Sequence, residues 1–326
     1  MKDEKDFLRS AFGMHKIKYS ILDSLGIYND IDSVHINYSS IFNFYLKHYG
    51  KLTNFTPSDI YLIVSQIFNL AAHYKHYFVK RQQNVKIYIY VSKSDREIFE
   101  SVIDFSLIIS QYITNIYFIE CDIPIPVAIE YISKAKCRNS IILTKNKLDV
   151  LLVSKYRSVL KSNKDKSILY NKDNVYDNMT KRKYNWQISY KLLPVVYSFC
   201  GIGGNKIDGF GPYNILKTLN AYVERNIIVN NKYIDIEDFI HDIKDITVFD
   251  DKALNTVVDN FDKIDINKKY SKYINSAKKK QLDDFIVDKF SNKDIKSLNI
   301  KYFTGLDSLM LEELFEEYNP KNKITW

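Results

Sequence analysis

The chain has 326 residues, 46% hydrophobic and 14% aromatic, which suffices to bury one large core or two moderate ones and excludes disorder as the default. Its formal net charge of +8, from 47 basic and 39 acidic side chains, favours an anionic partner without naming one. No uncharged run reaches the roughly 18 residues that a membrane span needs, and the charged start Met1-Lys2-Asp3-Glu4 lacks the apolar run of a secretory signal, so a cytoplasmic protein with no membrane partner is expected.

In chain order, residues 1–30 read as a helical extension. Apolar runs rich in β-branched and aromatic residues follow at Val34–Asn37, Val85–Val91, Ile116–Ile119 and Ser140–Leu143, each short and bounded by polar residues as buried strands are. Helical spacing fills the gaps, at Ser40–Tyr49, at Pro57–Val79 behind the start signal Thr56-Pro57-Ser58-Asp59, at Asp95–Tyr112 and at Pro126–Lys136. Strands alternating with helices predict an α/β domain over residues 31–183, with a mostly parallel sheet flanked by helices. Its last part, Leu151–Lys183, is polar and basic and reads as an exposed loop or hairpin around a strand at Ser167–Tyr170. From Tyr184 to Trp326 the pattern is helical, including Trp186–Ser198 and Pro212–Val223.

Five of the nine glycines fall in one run, Gly201-Ile202-Gly203-Gly204-Asn205-Lys206-Ile207-Asp208-Gly209-Phe210-Gly211, followed at once by Pro212 and a helix. Glycine permits positive φ and close backbone approach, and Pro212 suits a first helical turn, so the run reads as a hairpin that aims backbone N–H groups outward, where they can hold a phosphate. The plain alternative is a tight connection between helices. Such a turn needs one glycine, not five. Helix, glycine hairpin and helix together form a helix-hairpin-helix element, which meets duplex DNA through its phosphates without reading sequence. The expected DNA-binding residues are Gly201, Gly203, Gly204, Asn205, Lys206, Gly209, Gly211 and Lys217, supported by the basic stretch Lys155–Lys183.

Placed behind an α/β domain, this hairpin makes residues 30–225 resemble the flap endonuclease and 5′-to-3′ exonuclease family, a PIN-like nuclease domain followed by a helix-3-turn-helix clamp. In that family the hairpin reads Gly-Asp-x-x-Asp-Asn-Ile-x-Gly-φ-Gly-Pro, which Gly201, Ile207, Gly209, Phe210, Gly211 and Pro212 match. The family's first strand ends Ile-Asp-Gly-Ser-Ser, and here Ile36-Asn37-Tyr38-Ser39-Ser40 stands. The Glu-Ala-Asp-Asp motif corresponds to Glu120-Cys121-Asp122-Ile123, and Thr-Gly-Asp-Lys-Asp to Thr144-Lys145-Asn146-Lys147-Leu148.

The resemblance implies phosphodiester hydrolysis by two divalent metals in a carboxylate cluster, yet most of those acids are replaced. Asn37 stands for the first-strand Asp, Ser92 for the second-strand Asp, Asn146 and Leu148 for the pair after the fourth strand, and Ile202 and Asn205 for the hairpin pair. Only the remnant acids Glu120 and Asp122 are kept, while Lys93, Lys145 and Lys147 add positive charge nearby. Val91 to Glu120 also leaves little room for the arch that threads a 5′ end in active members.

The expectation is therefore a catalytically degenerate, non-cutting relative without metal or other cofactor, gripping duplex or junction DNA as an accessory to phage or viral replication, recombination or transcription, with viral protein partners alongside. The heavy use of Ile, Lys, Asn and Tyr fits an AT-rich phage or viral genome. Two alternatives stay open. One is an active magnesium- or manganese-dependent nuclease with acids relocated to Glu120, Asp122, Asp149 and Asp208. The other is a structural or interaction subunit of a viral assembly.

Other constellations read as packing or solvation. His73 and His76 sit three apart on a predicted helix with no third metal ligand nearby. Cys121, Cys137 and Cys200 are odd in number, widely spaced and without zinc spacing, and read as buried thiols of a reducing compartment. The basic run around Lys268 and Lys278 reads as a solvated helix face. The acidic, amphipathic segment Leu309–Tyr318 reads as docked on its own domain.

Overall fold

The computed structural model describes residues 31–43, 55–110, 113, 115–136, 139–162, 167–201, 207, 211–224, 255–256 and 258–275. The chain divides into two compact units, one of Met1–Asn146, Leu160–Leu169 and Lys278–Trp326, the other of Lys147–Val159 and Tyr170–Ala277. The expected extension over residues 1–30 and the segment Leu309–Tyr318 lie outside the described residues.

Six strands form one mixed, mostly parallel sheet flanked by helices. They are β1 (Ser33–Asn37), β2 (Lys86–Ser92), β3 (Ile116–Cys121), β4 (Ser140–Thr144), β5 (Arg157–Ser162) and β6 (Ser167–Tyr170), in the spatial order β3-β2-β1-β4-β5-β6. β1 runs parallel to β2, with Val34 opposite Ile87, and to β4, with Val34 opposite Ile141; β2 runs parallel to β3, with Ser92 opposite Cys121. Every residue of β1 and β4 is buried, as in a parallel sheet covered on both faces; this accounts for the apolar run Ile141–Leu143 of β4, whereas β1 alternates Val34 and Ile36 with the buried polar Ser33, His35 and Asn37.

Polar groups inside this sheet pair with one another. Ser33 Oγ lies 2.8 Å from His35 Nε2 and 2.9 Å from Ser140 Oγ, and His35 Nδ1 lies 2.8 Å from the Tyr90 hydroxyl. The imidazole also stacks on Tyr88, its direct neighbour across β1 and β2.

The connecting helices follow the expected spans closely. α1 (Pro57–Val79) opens on a capping box, in which the Asp59 N–H donates to Thr56 Oγ1 and the Thr56 N–H donates to Asp59 Oδ2 at 2.9 Å. Ile63, Val64, Ile67, Phe68, Ala71, Tyr74 and Phe78 fall at helical spacing and form its buried face. α2 (Arg96–Ser110) follows a 3-10 turn at Lys93–Asp95 and departs from helical geometry at Phe99, whose ring stacks 4.0 Å from that of Phe42. α3 (Ile125–Lys136) then carries the chain back so that β4 lies on the far side of β1 from β2. The strand order thus reverses between β1 and β4, and the crevice beyond the carboxyl ends of such a pair is where open α/β sheets take ligands.

The stretch expected as an exposed loop or hairpin, Leu151–Lys183, has the expected strand at Ser167–Tyr170 beside a second strand, β5, and is partly buried where exposure was expected. Val159 and Leu160 of β5 are fully buried, and the flanking Arg157 and Lys161 are 9% and 7% exposed. Those two charges, sitting among the apolar positions, disguised the strand.

In the second unit, the 3-10 turn Lys147–Leu152 buries Asp149, and the Lys147 carbonyl accepts from the Tyr197 hydroxyl at 2.9 Å. α4 (Val175–Thr180) is short. The helix expected over Trp186–Ser198 begins later: Ser189 caps a 3-10 turn at Tyr190–Leu192, which leads into α5 (Leu193–Cys200), buried from Leu193 to Phe199. α6 (Pro212–Glu224) and α7 (Phe261–Asn275) complete the unit, and Asn267 Nδ2 of α7 donates to the Ser198 carbonyl of α5. Burial pushes the Cys200 thiol up to about 12, which suits an inert packed cysteine. Among the described residues no helix is long and apolar enough to cross a membrane.

Candidate functional site

At the carboxyl end of β1, Asn37 acts as a helix cap. Its Oδ1 accepts the Ser40 N–H at 3.1 Å, at the start of the helical residues 39–43. Ser40 then spans the switch point. Its hydroxyl donates to the Asn37 carbonyl at 2.6 Å and accepts from the Lys145 N–H at 2.9 Å, with Thr144 Oγ1 3.3 Å away. The Asn146 N–H donates to Thr144 Oγ1 at 2.8 Å. The ends of β1 and β4 are thus joined by neutral side chains. Burial lowers the pKa of the Lys145 ammonium beside them.

At the end of β2, the Ser92 N–H donates to both Ser39 Oγ (2.6 Å) and Asp95 Oδ2 (3.2 Å), and the Ser39 hydroxyl donates to the same carboxylate oxygen. Burial pushes the Asp95 carboxyl up, while these hydrogen bonds pull it back in part.

Glu120, at the end of β3, meets a cation. Arg96 Nε donates to Glu120 Oε1 at 2.7 Å and Nη2 to Oε2 at 2.8 Å, the two-pronged geometry of a guanidinium on a carboxylate, while Nη1 donates to Asp104 Oδ1 at 2.6 Å. Hydrogen bonding to Glu120, then to Asp104, raises the arginine's pKa further. Asp122, two residues on, is exposed.

In the second unit, α5 ends at Gly201, whose φ of 86° and ψ of 149° lie where side-chain-bearing residues are strained. Gly211, just before α6, is different: among the described residues, a Cβ built there meets nothing within 4 Å. Packing against the described residues does not demand a glycine at position 211. Lys217 is exposed on α6, and Ile207 is buried. The expected contacts Gly203, Gly204, Asn205, Lys206 and Gly209 lie outside the described residues, as does Asp208.

No protein-family model matches the sequence, and no curated protein does. Among solved structures, the bacteriophage T5 flap endonuclease, in a pseudo-enzyme–product complex with DNA and metal ions, aligns at a TM-score of 0.53 and 11% identity over 80% of this chain and 98% of its own. A second bacteriophage T5 structure, co-crystallised with metal ions, aligns at a TM-score of 0.51 and 11% identity over 81% of this chain and 100% of its own. The chain has the flap endonuclease fold.

A flap endonuclease fold that works by metal catalysis must gather several carboxylates around hard, strongly hydrated cations. The side chains at these strand ends do not fit that demand: Asn37, Ser92 and Asn146 are neutral, and Glu120 is matched by the Arg96 guanidinium. Among the described residues no three His, Cys, Asp or Glu side chains form a group able to hold a metal ion. His73 and His76 belong to no such group. Of the relocated set, Asp149 is fully buried and Asp122 exposed.

Sequence reasoning missed Arg96, Asp95 and Ser39. Arg96 was visible only as a residue near the start of a helix. What brings it to Glu120 is the register of β2 against β3, with Ser92 opposite Cys121, and a 3-10 turn that starts α2 immediately beyond that edge.

Proposed function

We propose that the chain is a non-catalytic protein of the 5′-nuclease fold that grips the backbone of duplex or junction DNA, as an accessory to phage or viral DNA replication, recombination or transcription. The observation that carries this reading is the Arg96 fork on Glu120. A guanidinium in bidentate contact supplies the positive charge that a metal would otherwise supply to that carboxylate. Asn37, Ser92 and Asn146, at the ends of β1, β2 and β4, add no negative charge, and Asp95 is already engaged by Ser39 and the Ser92 N–H.

The DNA-binding half of the reading rests on Gly211, Lys217 and the net charge. A glycine with open space around it among the described residues leaves room for an outside group to approach the backbone at the start of α6. The bacteriophage T5 relative in fold is itself a DNA complex.

The test is DNA binding by fluorescence anisotropy on a 30-base-pair duplex across a salt series, beside a cleavage assay on a 5′-flap substrate with manganese. The wild-type protein binds with an affinity that falls as salt rises. Lys206→Ala combined with Gly211→Ala weakens binding with no loss of melting temperature, and the flap stays intact. Absence of salt-dependent binding overturns the grip. Manganese-dependent cleavage that Asp122→Asn abolishes overturns the non-catalytic reading in favour of relocated acids.

A further inference from the structure

Three aromatic rings and an arginine meet at the start of α6. The Arg182 guanidinium lies 4.8 Å over the Tyr213 ring; Trp186 meets Tyr213 edge-on at 6.1 Å and lies 4.5 Å from Tyr184. The cluster is not closed: Tyr184 keeps 48% of its surface exposed, and Lys181, Arg182 and Lys183 are all exposed. Lys217 is exposed one helical turn beyond Tyr213, on the same side of α6.

The backbone beneath Tyr184 is fixed at several points. Lys181, at a φ of 57°, ends α4 in the left-handed conformation. The Arg182 N–H then donates to the Asp177 carbonyl at 3.2 Å, and the Tyr184 N–H to Asp177 Oδ1 at 3.1 Å, which engages the carboxylate of this turn. Further on, the Gln187 N–H donates to Asn220 Oδ1 of α6 at 2.7 Å. Tyr184 is therefore presented on an ordered segment, and binding a flat partner against it costs little additional ordering.

A half-exposed ring packed against a tryptophan and preceded by three exposed cations, Lys181, Arg182 and Lys183, matches the chemistry of a nucleobase and its phosphates. Stacking supplies affinity to any base, and the lysines meet the negative backbone. A protein partner would favour a broader apolar face, whereas the residues around Tyr184 are predominantly cationic. We infer that Tyr184 is a stacking platform for one unpaired nucleotide next to duplex DNA, with Lys181, Lys183 and Lys217 meeting its phosphates. The inference rests on the DNA-gripping reading above and adds to it a preference for DNA with an unpaired end or junction arm.

The experiment compares two fluorescein-labelled DNAs by anisotropy, a blunt 20-base-pair duplex and the same duplex with a five-nucleotide overhang. The variants are Tyr184→Ala and Tyr184→Phe, with folding checked by circular dichroism. The wild-type protein binds the overhang DNA about tenfold more tightly than the blunt one. Tyr184→Ala loses that preference and keeps its blunt-duplex affinity, and Tyr184→Phe, which retains the ring face, keeps the preference. If the wild-type protein binds both DNAs equally, or Tyr184→Ala retains the preference, the platform is overturned while the duplex grip stands. If neither DNA binds, the grip and the platform fall together. Self-association that Tyr184→Ala abolishes, without overhang preference, assigns the surface to a second copy and overturns the inference.

Discussion

Arg96 and Glu120 share two parallel hydrogen bonds, of 2.7 and 2.8 Å, beyond the paired ends of β2 and β3. The glutamate side chain is 13% exposed and the arginine 29%, so the pair is screened only in part. Arg96→Ala removes the fork from a mostly buried carboxylate and is expected to cost about 1–2 kcal/mol in urea unfolding. Arg96→Lys recovers part of that, because an ammonium cannot offer the planar fork. In the double variant Arg96→Ala with Glu120→Ala the loss is smaller than the sum of the single losses.

Divalent ions are expected to leave stability unchanged. A ligand at one hundred times its dissociation constant stabilises the native state by about 2.7 kcal/mol, a plain rise in melting temperature. Thermal melts with and without 5 mM magnesium or manganese should coincide. A metal-dependent rise would show that the strand ends bind ions despite their neutral side chains.

Asp95 gives the protein a pH dependence of definite sign. Its carboxyl is raised in the folded state above an unfolded value of roughly 3.9, so the folded protein binds the proton more tightly. This group's contribution is greatest when it is protonated, and declines as pH rises from the unfolded value through the raised one. Asp95→Asn keeps an acceptor for the Ser92 N–H and does not titrate. The stability of the wild type relative to this variant should fall as pH rises above the ordinary carboxylate range, measured by urea unfolding across a pH series; a flat difference would show an unshifted carboxyl.

The two described glycines of the hairpin should respond oppositely. Gly201→Ala forces a side chain into a conformation reserved for glycine and is expected to cost about 1–3 kcal/mol. Gly211→Ala meets open space and, by reducing the freedom of the unfolded chain, should leave the melting temperature unchanged or slightly raised.

The scaffold was legible because its signals are local. Thr56-Pro57-Ser58-Asp59 announced a helix start, and the structure has the full capping box there. The apolar centres of β2 and β4 announced buried strands. That the ends of β1 and β2 and the turn after β4 carry the neutral Asn37, Ser92 and Asn146 was also legible. What the sequence could not disclose depends on chain segments meeting in space: Arg96 reaches Glu120 across 24 residues, and Ser39 reaches Asp95 across 56. β5 escaped because Arg157 and Lys161 are buried against the rule for charged residues. Trp186 was expected inside a helix; instead it packs against Tyr184 and Tyr213 ahead of α5.

The neutral side chains Asn37, Ser92 and Asn146 also bear on how the polypeptide reaches its native state. A nest of carboxylates held a few ångströms apart is a standing source of self-repulsion, and a protein built around one either pays in stability or leans on its counterions to relieve the strain. Here Asn37 caps a helix, Ser40 stitches β1 to β4, and the one glutamate at the edge is matched by an arginine from the same chain. The sheet can therefore close on its own side chains, and its assembly need not track the divalent-ion concentration of the compartment in which the chain is made.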